Sequence, residues 1–261
     1  MERVVQDVRF ALRQLRRRPV FAVVAALSLA VGIGANTAIF SAVHALLLRP
    51  VPGVVAPERV VEVGRSRPDG SGFDTFAYPD FLDLREQVAA LESMSAYSFA
   101  VFSYTRGDEG RRINGMHADA AYLDVMGVRP ALGRWFGPGE DAAGARPRVA
   151  VISHAFWTRA FGAAPAVVGA TLQVNRTPVE IVGVLSEDFR GHTVAFEPDV
   201  YLPLRARATL DEGAAALFDQ RGSSWHNAVG RLAPSASVEQ AEEQVRGVYA
   251  RLAEAHPDTN A

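Results

Sequence analysis

The sequence contains no cysteine and no lysine. Without cysteine the chain can form no disulfide, and thiolate metal sites and cysteine nucleophiles are excluded with it. All 27 basic residues are arginine, so the lysine that a P-loop requires is missing. The nucleophile-elbow pattern G-x-S-x-G is also missing. These absences remove the usual sequence indications of a nucleotide-binding enzyme, a thiol enzyme or a serine hydrolase.

The histidines do not have the spacing of a metal site. None takes part in a paired pattern such as H-E-x-x-H, and we interpret all six as ordinary core or surface side chains. They are His44, His117, His154, His192, His226 and His256. We therefore expect no catalytic residue, no metal, no cofactor and no nucleic-acid partner, and we expect that the protein is not an enzyme.

A long stretch without charge, residues 19–48, stands out against the rest of the chain. It lies between Arg18 and Arg49, and as a helix it would be about 45 Å long, against about 30 Å for the hydrocarbon core of a bilayer. One alternative is a buried helix of a soluble protein, but such a helix normally keeps a polar face. A cleaved signal peptide is the other, but its apolar core is about half as long. We predict an uncleaved transmembrane helix over 19–48.

The flanking charges predict the orientation of that helix. Residues 1–18 carry six arginines against two acids, whereas the sequence after the apolar stretch is net acidic. An arginine excess beside the first span holds that end in the cytoplasm, so we expect the main domain in the periplasm of a bacterial inner-membrane protein. Either residues 1–18 are a plain basic flank, or they form an amphipathic helix on the lipid surface, which the helical wheel favours. The predicted membrane-surface residues are Arg9, Arg13, Arg16, Arg17 and Arg18.

Small residues recur at every fourth position of the apolar stretch. They form a ridge that allows close helix packing in lipid, although an alanine-rich composition alone could produce part of the pattern. Because the ridge winds by about 40° per step, several partner helices are implied. A polar Asn36 facing lipid is costly, so we expect it to hydrogen-bond across a helix interface. The predicted packing positions are Ala22, Ala26, Ala30, Gly32, Gly34, Asn36, Ala38 and Ala42.

The sequence after the apolar stretch predicts an α+β exterior domain. Strands are predicted from alternating or β-branched runs, and helices from apolar residues at spacings of three and four. Ser237 and Gln240 form a capping-box pattern before a helix whose inner face would hold Val238, Ala241, Val245, Val248 and Leu252. The predicted strands cover 59–65, 94–105, 111–117, 148–153, 172–175, 179–184, 199–204 and 226–232. The predicted helices begin at Pro79, near Ala120, at His154 and after Ser237.

Several segments together resemble one family. They are DVRFALRQLRRRPVFAVVAALSLAVGIGANTAIFSAVHALLLRPVPG, YPDFLDLREQ, YLDVMGVRPALGRWFGPGED, VAVISHAFWTRAFG with VVGATLQVNRTPVEIVGVL, and WHNAVGRLAPSASVEQAEEQV. Over essentially its whole length the chain is similar to MacB/FtsX-type ABC transporter permeases, in particular their acidobacterial duplicated-permease branch. The resemblance implies a transmembrane helix followed by a MacB-like periplasmic domain. It implies a porter-like α+β part, residues 49–118 and 225–261, and an inserted mostly-β part, residues 119–224.

The resemblance also implies a function and partners. It points to a non-catalytic permease subunit of a mechanotransmitting ABC transporter or efflux system, working with a separate cytoplasmic ATP-binding subunit. Family members continue into further membrane helices, so we expect this chain to be an N-terminal fragment or to receive those helices from another copy or chain. The alternative is a single-pass, membrane-anchored periplasmic binding or scaffold protein that has no ATPase partner.

Overall fold

The computed structural model describes residues 19–47, 52–66, 73–106, 109–193 and 196–260. The contacts divide the chain into two units that meet at Arg49 and Pro50. The arginines predicted at the membrane surface, and the amphipathic helix predicted over 1–18, lie outside the described residues.

The first unit contains helix α1, Pro19–Leu47, which is 29 residues long. The helical conformation predicted for this stretch is thus confirmed. Over the described ranges, no helix combines the length and the hydropathy that a membrane crossing requires. The transmembrane assignment of 19–48 therefore stays a prediction.

The second unit is an α+β domain, as predicted. Its strands are β1 Val60–Val63, β2 Arg65–Ser66, β3 Phe73–Asp74, β4 Phe76–Ala77, β5 Leu91–Arg106, β6 Glu109–Ala118, β7 Pro130–Gly133, β8 Val149–Ile152, β9 Thr171–Val174, β10 Thr177–Leu185, β11 Val200–Pro203 and β12 Ser224–Leu232. Its α-helices are α2 Tyr78–Gln87, α3 Tyr122–Met126, α4 His154–Phe161, α5 Ala206–Leu210, α6 Val238–Ala255 and α7 Pro257–Asn260. Short 3₁₀ helices cover Pro57–Arg59, Pro138–Glu140, Pro165–Val167 and Glu212–Phe218.

Ten strands form one mixed sheet in the order β1-β12-β5-β6-β11-β8-β10-β7, with β4 paired to β12 and β9 paired to β10 and β5. The long hairpin β5–β6 is its centre, paired from Tyr97 opposite Ala118 to Arg106 opposite Glu109. The pairs β6–β11 and β8–β10 are parallel, and the others are antiparallel. Strands from both predicted parts belong to this one sheet, since β6 of the porter-like part pairs with β11 of the inserted part. The two-part division remains a prediction.

Three groups of buried side chains make up the core. One lies beneath α2 and α6 and includes Phe81 and Val248. The second surrounds α3 and includes Tyr122 and Tyr201. The third lies beneath α4, around Phe156. The helices thus cover different regions of a single sheet, and α3 supplies much of the second group.

Several elements were predicted correctly from local signals. The helix predicted at His154–Phe161 is α4, and Ser153 Oγ caps it by accepting the Phe156 N–H at 3.1 Å. The predicted capping box is confirmed: the Gln240 N–H donates to Ser237 Oγ at 3.3 Å, and the Ser237 N–H donates to Gln240 Oε1 at 3.0 Å.

Other predictions were wrong. Residues 127–141 were expected to form a loop rich in glycine and proline, but they contain β7 and a 3₁₀ helix, and β3, β4 and α5 were not predicted. Val238, predicted on the inner face of α6, is 51% exposed. Val238 directly follows the capping residue Ser237, so it lies in the first turn of α6, where its side chain is only partly covered.

Candidate functional site

Residues 52–56 lead into the second unit. Both backbone polar groups of Val55, its N–H and its C=O, make hydrogen bonds to the rest of this unit. The Val55 N–H donates to the carbonyl of Met126 at 3.0 Å. Its carbonyl accepts from Nη2 of Arg231 at 2.7 Å, and Nε of the same guanidinium donates to the Val125 carbonyl, also at 2.7 Å. Arg231 thus connects the entering chain to the C-terminal end of α3. We call Gly53, Val55, Gly127 and Arg231 the entry anchor.

Two glycines make the close approach in the entry anchor possible. Gly53 has φ +78°, and a β-carbon there would lie 2.7 Å from the carbonyl oxygen of Asp188. Gly127 follows α3 with φ +68°, the left-handed conformation that commonly ends helices, and a β-carbon there would lie 2.7 Å from Cβ of Val55. The entering chain is therefore packed against both α3 and the loop after β10.

Arg231 lies in β12 and is only 6% exposed. Burial and the nearby Arg59 lower the pKa of Arg231, but guanidinium groups do not lose their proton in proteins. A buried charge of this kind needs hydrogen-bond partners, and the two backbone carbonyls supply them. The side chain therefore ties three separate segments together, namely β12, α3 and the entering chain.

Helix α3 has only five residues and depends on neighbouring side chains for its position. At its first residue, the Tyr122 hydroxyl lies 2.7 Å from Nδ1 of His192. Nε2 of this buried histidine is 3.1 Å from Oε1 of Glu62, which also accepts from the Tyr97 hydroxyl at 3.0 Å. His192 thus lies between α3, which carries Tyr122, and β1, which carries Glu62. Burial raises the pKa of Tyr122 and of Tyr97, so both remain phenols.

Two acids hold the turn that leads into α3. Asp119 is buried and accepts from Ser95 Oγ at 2.6 Å and from the Ala96 N–H at 3.1 Å. Asp141 accepts from the Ala120 N–H. Burial raises the pKa of Asp119 to about 6, and burial together with the Asp119 charge raises the pKa of Asp141 to about 7. Through these hydrogen bonds the two acids stabilise the turn before α3.

A second attachment point lies near the C-terminal end of the described chain. Asn260 in α7 is buried, and its Nδ2 donates to Oδ2 of Asp80 in α2 at 2.8 Å. Nη1 of Arg221 donates to Asp80 Oδ1 and also to Asp83 Oδ2 at 2.7 Å. We call these four residues the C-terminal anchor. It belongs to the region of α2 and α6, whereas the entry anchor belongs to the region of α3.

The predicted packing residues lie in α1. Gly32 and Gly34 have open surroundings: among the described residues, a β-carbon at either position would meet no atom within 4 Å. The residues whose exposure the structure gives are all exposed, namely Ala26, Ala30, Gly32, Gly34, Asn36 and Ala38. Ala22 and Ala42 are helical, but their side chains are outside the description. The packing role of all eight stays a prediction.

The two anchors were not predicted from the sequence. One signal was present: Arg231 interrupts the apolar run AVGRLA of a predicted strand. Within the described ranges, no three histidine or acidic side chains converge as a metal site would require. The groups at the entry anchor make hydrogen bonds between segments that are far apart in the sequence.

The sequence matches the family described as the MacB-like periplasmic core domain over residues 22–248. No curated protein matches it. Among solved structures it is similar to the periplasmic region of MacB from Actinobacillus actinomycetemcomitans, at 17% identity and a TM-score of 0.55, covering 77% of this chain and 85% of that one.

Two further structures are similar. One is the extracellular domain of the noncanonic ABC-type transporter YknZ from Gram-positive bacteria, at 18% identity and a TM-score of 0.52, covering 76% of this chain and 93% of that one. The other is a domain assigned to a permease protein from Porphyromonas gingivalis, at 19% identity and a TM-score of 0.55, covering 77% and 85%. At these identities the likeness establishes the fold. Together with the sequence match over most of its length, it shows that this chain belongs to the family of the MacB-like periplasmic core domain.

Proposed function

We propose that the chain is a non-catalytic permease subunit of a MacB/FtsX-like ABC transporter or efflux system, in which its domain receives movement from the membrane. The observation that carries this proposal is the entry anchor. Both polar groups of Val55 are bonded to the domain, so in this proposal a displacement that reaches Val55 is passed on to the domain backbone.

From the entry anchor two routes lead into the domain. Through Arg231 the load reaches β12, which pairs with β5 at the centre of the sheet. Through α3 it reaches Asp119 and its bonds to Ser95 and Ala96, again in β5. The two routes meet in the long central hairpin, so we propose that this hairpin carries the shape change outward.

In this proposal residues 19–48 span the inner membrane. The arginine-rich residues 1–18 lie at the cytoplasmic lipid surface, and the domain lies in the periplasm. This placement is supported by the uncharged stretch and its flanking charges. The ridge of small residues packs against further permease helices. A separate cytoplasmic ATP-binding subunit supplies the energy.

The first test is co-purification. The chain is expressed with an affinity tag beside its genomic neighbours and extracted in mild detergent, and its partners are identified by mass spectrometry. We expect an ATP-binding subunit and a multi-span permease. Recovery of the chain alone as a stable, monodisperse protein would instead support the anchored binding or scaffold protein.

The ridge gives a sharper version of this test. Gly34→Phe places a bulky ring where close helix packing is proposed, and we expect it to abolish co-purification, whereas Gly34→Ala keeps the ridge and serves as the control. Full recovery of the partner helices with Gly34→Phe would contradict the packing role.

Coupling can be measured directly because the chain has no cysteine. Spin labels at Ala131→Cys and Asp219→Cys, both exposed positions, report distance changes within the domain. In the assembled complex we expect ATP to shift this distance, and we expect Arg231→Ala to abolish the shift while ATP hydrolysis continues. If the distance between the two labels does not change with ATP in the unmodified complex, the mechanotransmitting proposal is refuted.

A further inference from the structure

The outer edge of β1 is open in the part of the chain that the structure describes. β1 pairs with β12 through Val60–Val63 and is the first strand in the sheet order. The unpaired N–H and C=O groups of such an edge readily accept another strand, and proteins usually block this with proline, bulges or outward charges. β1 has no proline and pairs in unbroken register. Its charged residue, Glu62, is already held by Tyr97 and His192.

An apolar groove of about 510 Å³ lies beside this edge, between β1 and the first turns of α6. Val238 in this groove is 51% exposed, whereas Val248, further along the same helix, is 1% exposed. One more strand beside β1 would cover the exposed part of the helix. The apolar lining that the argument uses, which we call the β1 groove, consists of Val61, Val63, Leu91, Val238, Ala241 and Val245.

We propose that the β1 groove binds an extended segment of a partner protein, which adds to the sheet as a strand next to β1. Alternate side chains of this segment are apolar and fill the groove, since successive residues of a strand point to opposite faces. The volume falls within the range of about 300–1,000 Å³ that is usual for ligand pockets. A space of this size holds a few side chains of a peptide segment.

The charges of the rim indicate the flanks of the segment and argue against a second copy of this chain. Glu242 stands at the rim and pairs with Arg246, one turn further along, at 2.6 Å. Exposed pairs of this kind contribute little, so a basic residue of the partner can take the place of Arg246. If β1 paired with its own copy centred on Glu62, two glutamates would lie opposite each other, which is destabilising.

The test uses the full chain in detergent and a fluorescein-labelled peptide, Lys-Val-Thr-Val-Thr-Val-Lys. Binding is followed by fluorescence anisotropy, and strand addition by hydrogen exchange of the amides of Val60–Val63. We expect saturable binding that slows exchange in β1. Val245→Arg places a charge in the groove and is expected to weaken binding at least tenfold. Ala250→Arg, at an exposed position of the same helix, is expected to bind within twofold of the unmodified chain.

Three outcomes would overturn the proposal. The first is no binding by the unmodified chain, and the second is equal binding by Val245→Arg. The third is protection of β1 that rises with protein concentration in the absence of peptide, because a second copy would then occupy the edge. If Val245→Arg lowers the unfolding midpoint, Glu242→Arg replaces it as a variant of an exposed side chain. Because Glu242→Arg reverses the charge at the rim, it should weaken binding of the peptide. Unchanged affinity would contradict the proposed contact between Glu242 and a basic residue of the partner.

Discussion

Replacing Arg231 with alanine tests the entry anchor at its centre. The substitution removes two hydrogen bonds of 2.7 Å from a side chain that is 6% exposed. Val125 is fully buried, and leaving its carbonyl without a partner costs about 1–3 kcal/mol. Val55 is 57% exposed, so its carbonyl can bond to water and about 1 kcal/mol is lost there. We expect a total loss of about 2–4 kcal/mol in the free energy of unfolding.

For a domain of this size, 1 kcal/mol lowers the unfolding midpoint by about 2–4 °C. A loss of about 2–4 kcal/mol in Arg231→Ala should therefore lower the unfolding midpoint of the full chain in detergent by roughly 4–16 °C, measured by tryptophan fluorescence. Arg231→Lys should recover only part of this loss, because an ammonium group lacks the planar fork that reaches two carbonyls. The matched control is Arg129→Ala, an exposed arginine two residues after Gly127, which should change the midpoint by less than about 2 °C.

A local measurement separates the anchor from a general loss of stability. The Val55 amide donates to Met126, and its hydrogen exchange should accelerate in Arg231→Ala more than that of amides in the central hairpin. The reasoning is refuted if Arg231→Ala unfolds at the same temperature as Arg129→Ala. It is also refuted if exchange at Val55 is unaltered, since the arginine would then not be holding the entering chain.

The other predictions concern close approach and pH. Gly53→Ala should lower the free energy of unfolding by more than 1 kcal/mol, because both φ +78° and the contact with the neighbouring backbone oppose a β-carbon; an unchanged denaturation midpoint in urea would contradict this. The pKa values of Asp119 and Asp141 are raised, so their protonation stabilises the folded state as the pH falls from about 7 to 4, by about 3 kcal/mol for Asp119. Burial lowers the pKa of His117 and of His226 to about 4, and this destabilises the fold over the same range. We therefore expect the free energy of unfolding of the unmodified chain to change little between pH 7 and 4.5. In the Asp119→Asn/Asp141→Asn double variant it should fall on acidification, as measured by urea unfolding at each pH. Parallel pH profiles of the two proteins would show that the two acids are not coupled to folding.

The secondary structure that the sequence predicted correctly rests on local rules. The capping box at Ser237 and the cap at Ser153 depend on residues three apart, so they can be recognised without the fold. The turn between β9 and β10 shows the limit. The predicted strands 172–175 and 179–184 leave residues 176–178 for the turn, but the turn is formed by Asn175 and Arg176, with φ +48° and +66°. Positive φ at both positions is what a two-residue hairpin turn requires, yet arginine is not a residue that signals it.

The entry anchor could not be predicted in the same way because its partners are far apart in the chain. Arg231 and Val55 are separated by 176 positions, and only the sheet order brings them together. A buried arginine in an apolar strand signals that partners exist, but it does not identify backbone carbonyls as those partners. The acid pair is similar: Asp119 and Asp141 are each ordinary turn residues in the sequence, and their pKa values are raised mainly by burial in the folded chain.

In the proposed function, the load at the entry anchor acts on α3, a helix too short to hold its position alone. α3 is five residues long, and an isolated helix of that length is not stable in water. Its position depends on Arg231 at one end and on Asp119 and Tyr122 at the other. Under the proposed function, a pull on Val55 would shift this short helix as a unit while the central hairpin keeps its register. If this is how the domain responds, weakening either end of α3 should uncouple the domain from the membrane segment well before it unfolds the sheet.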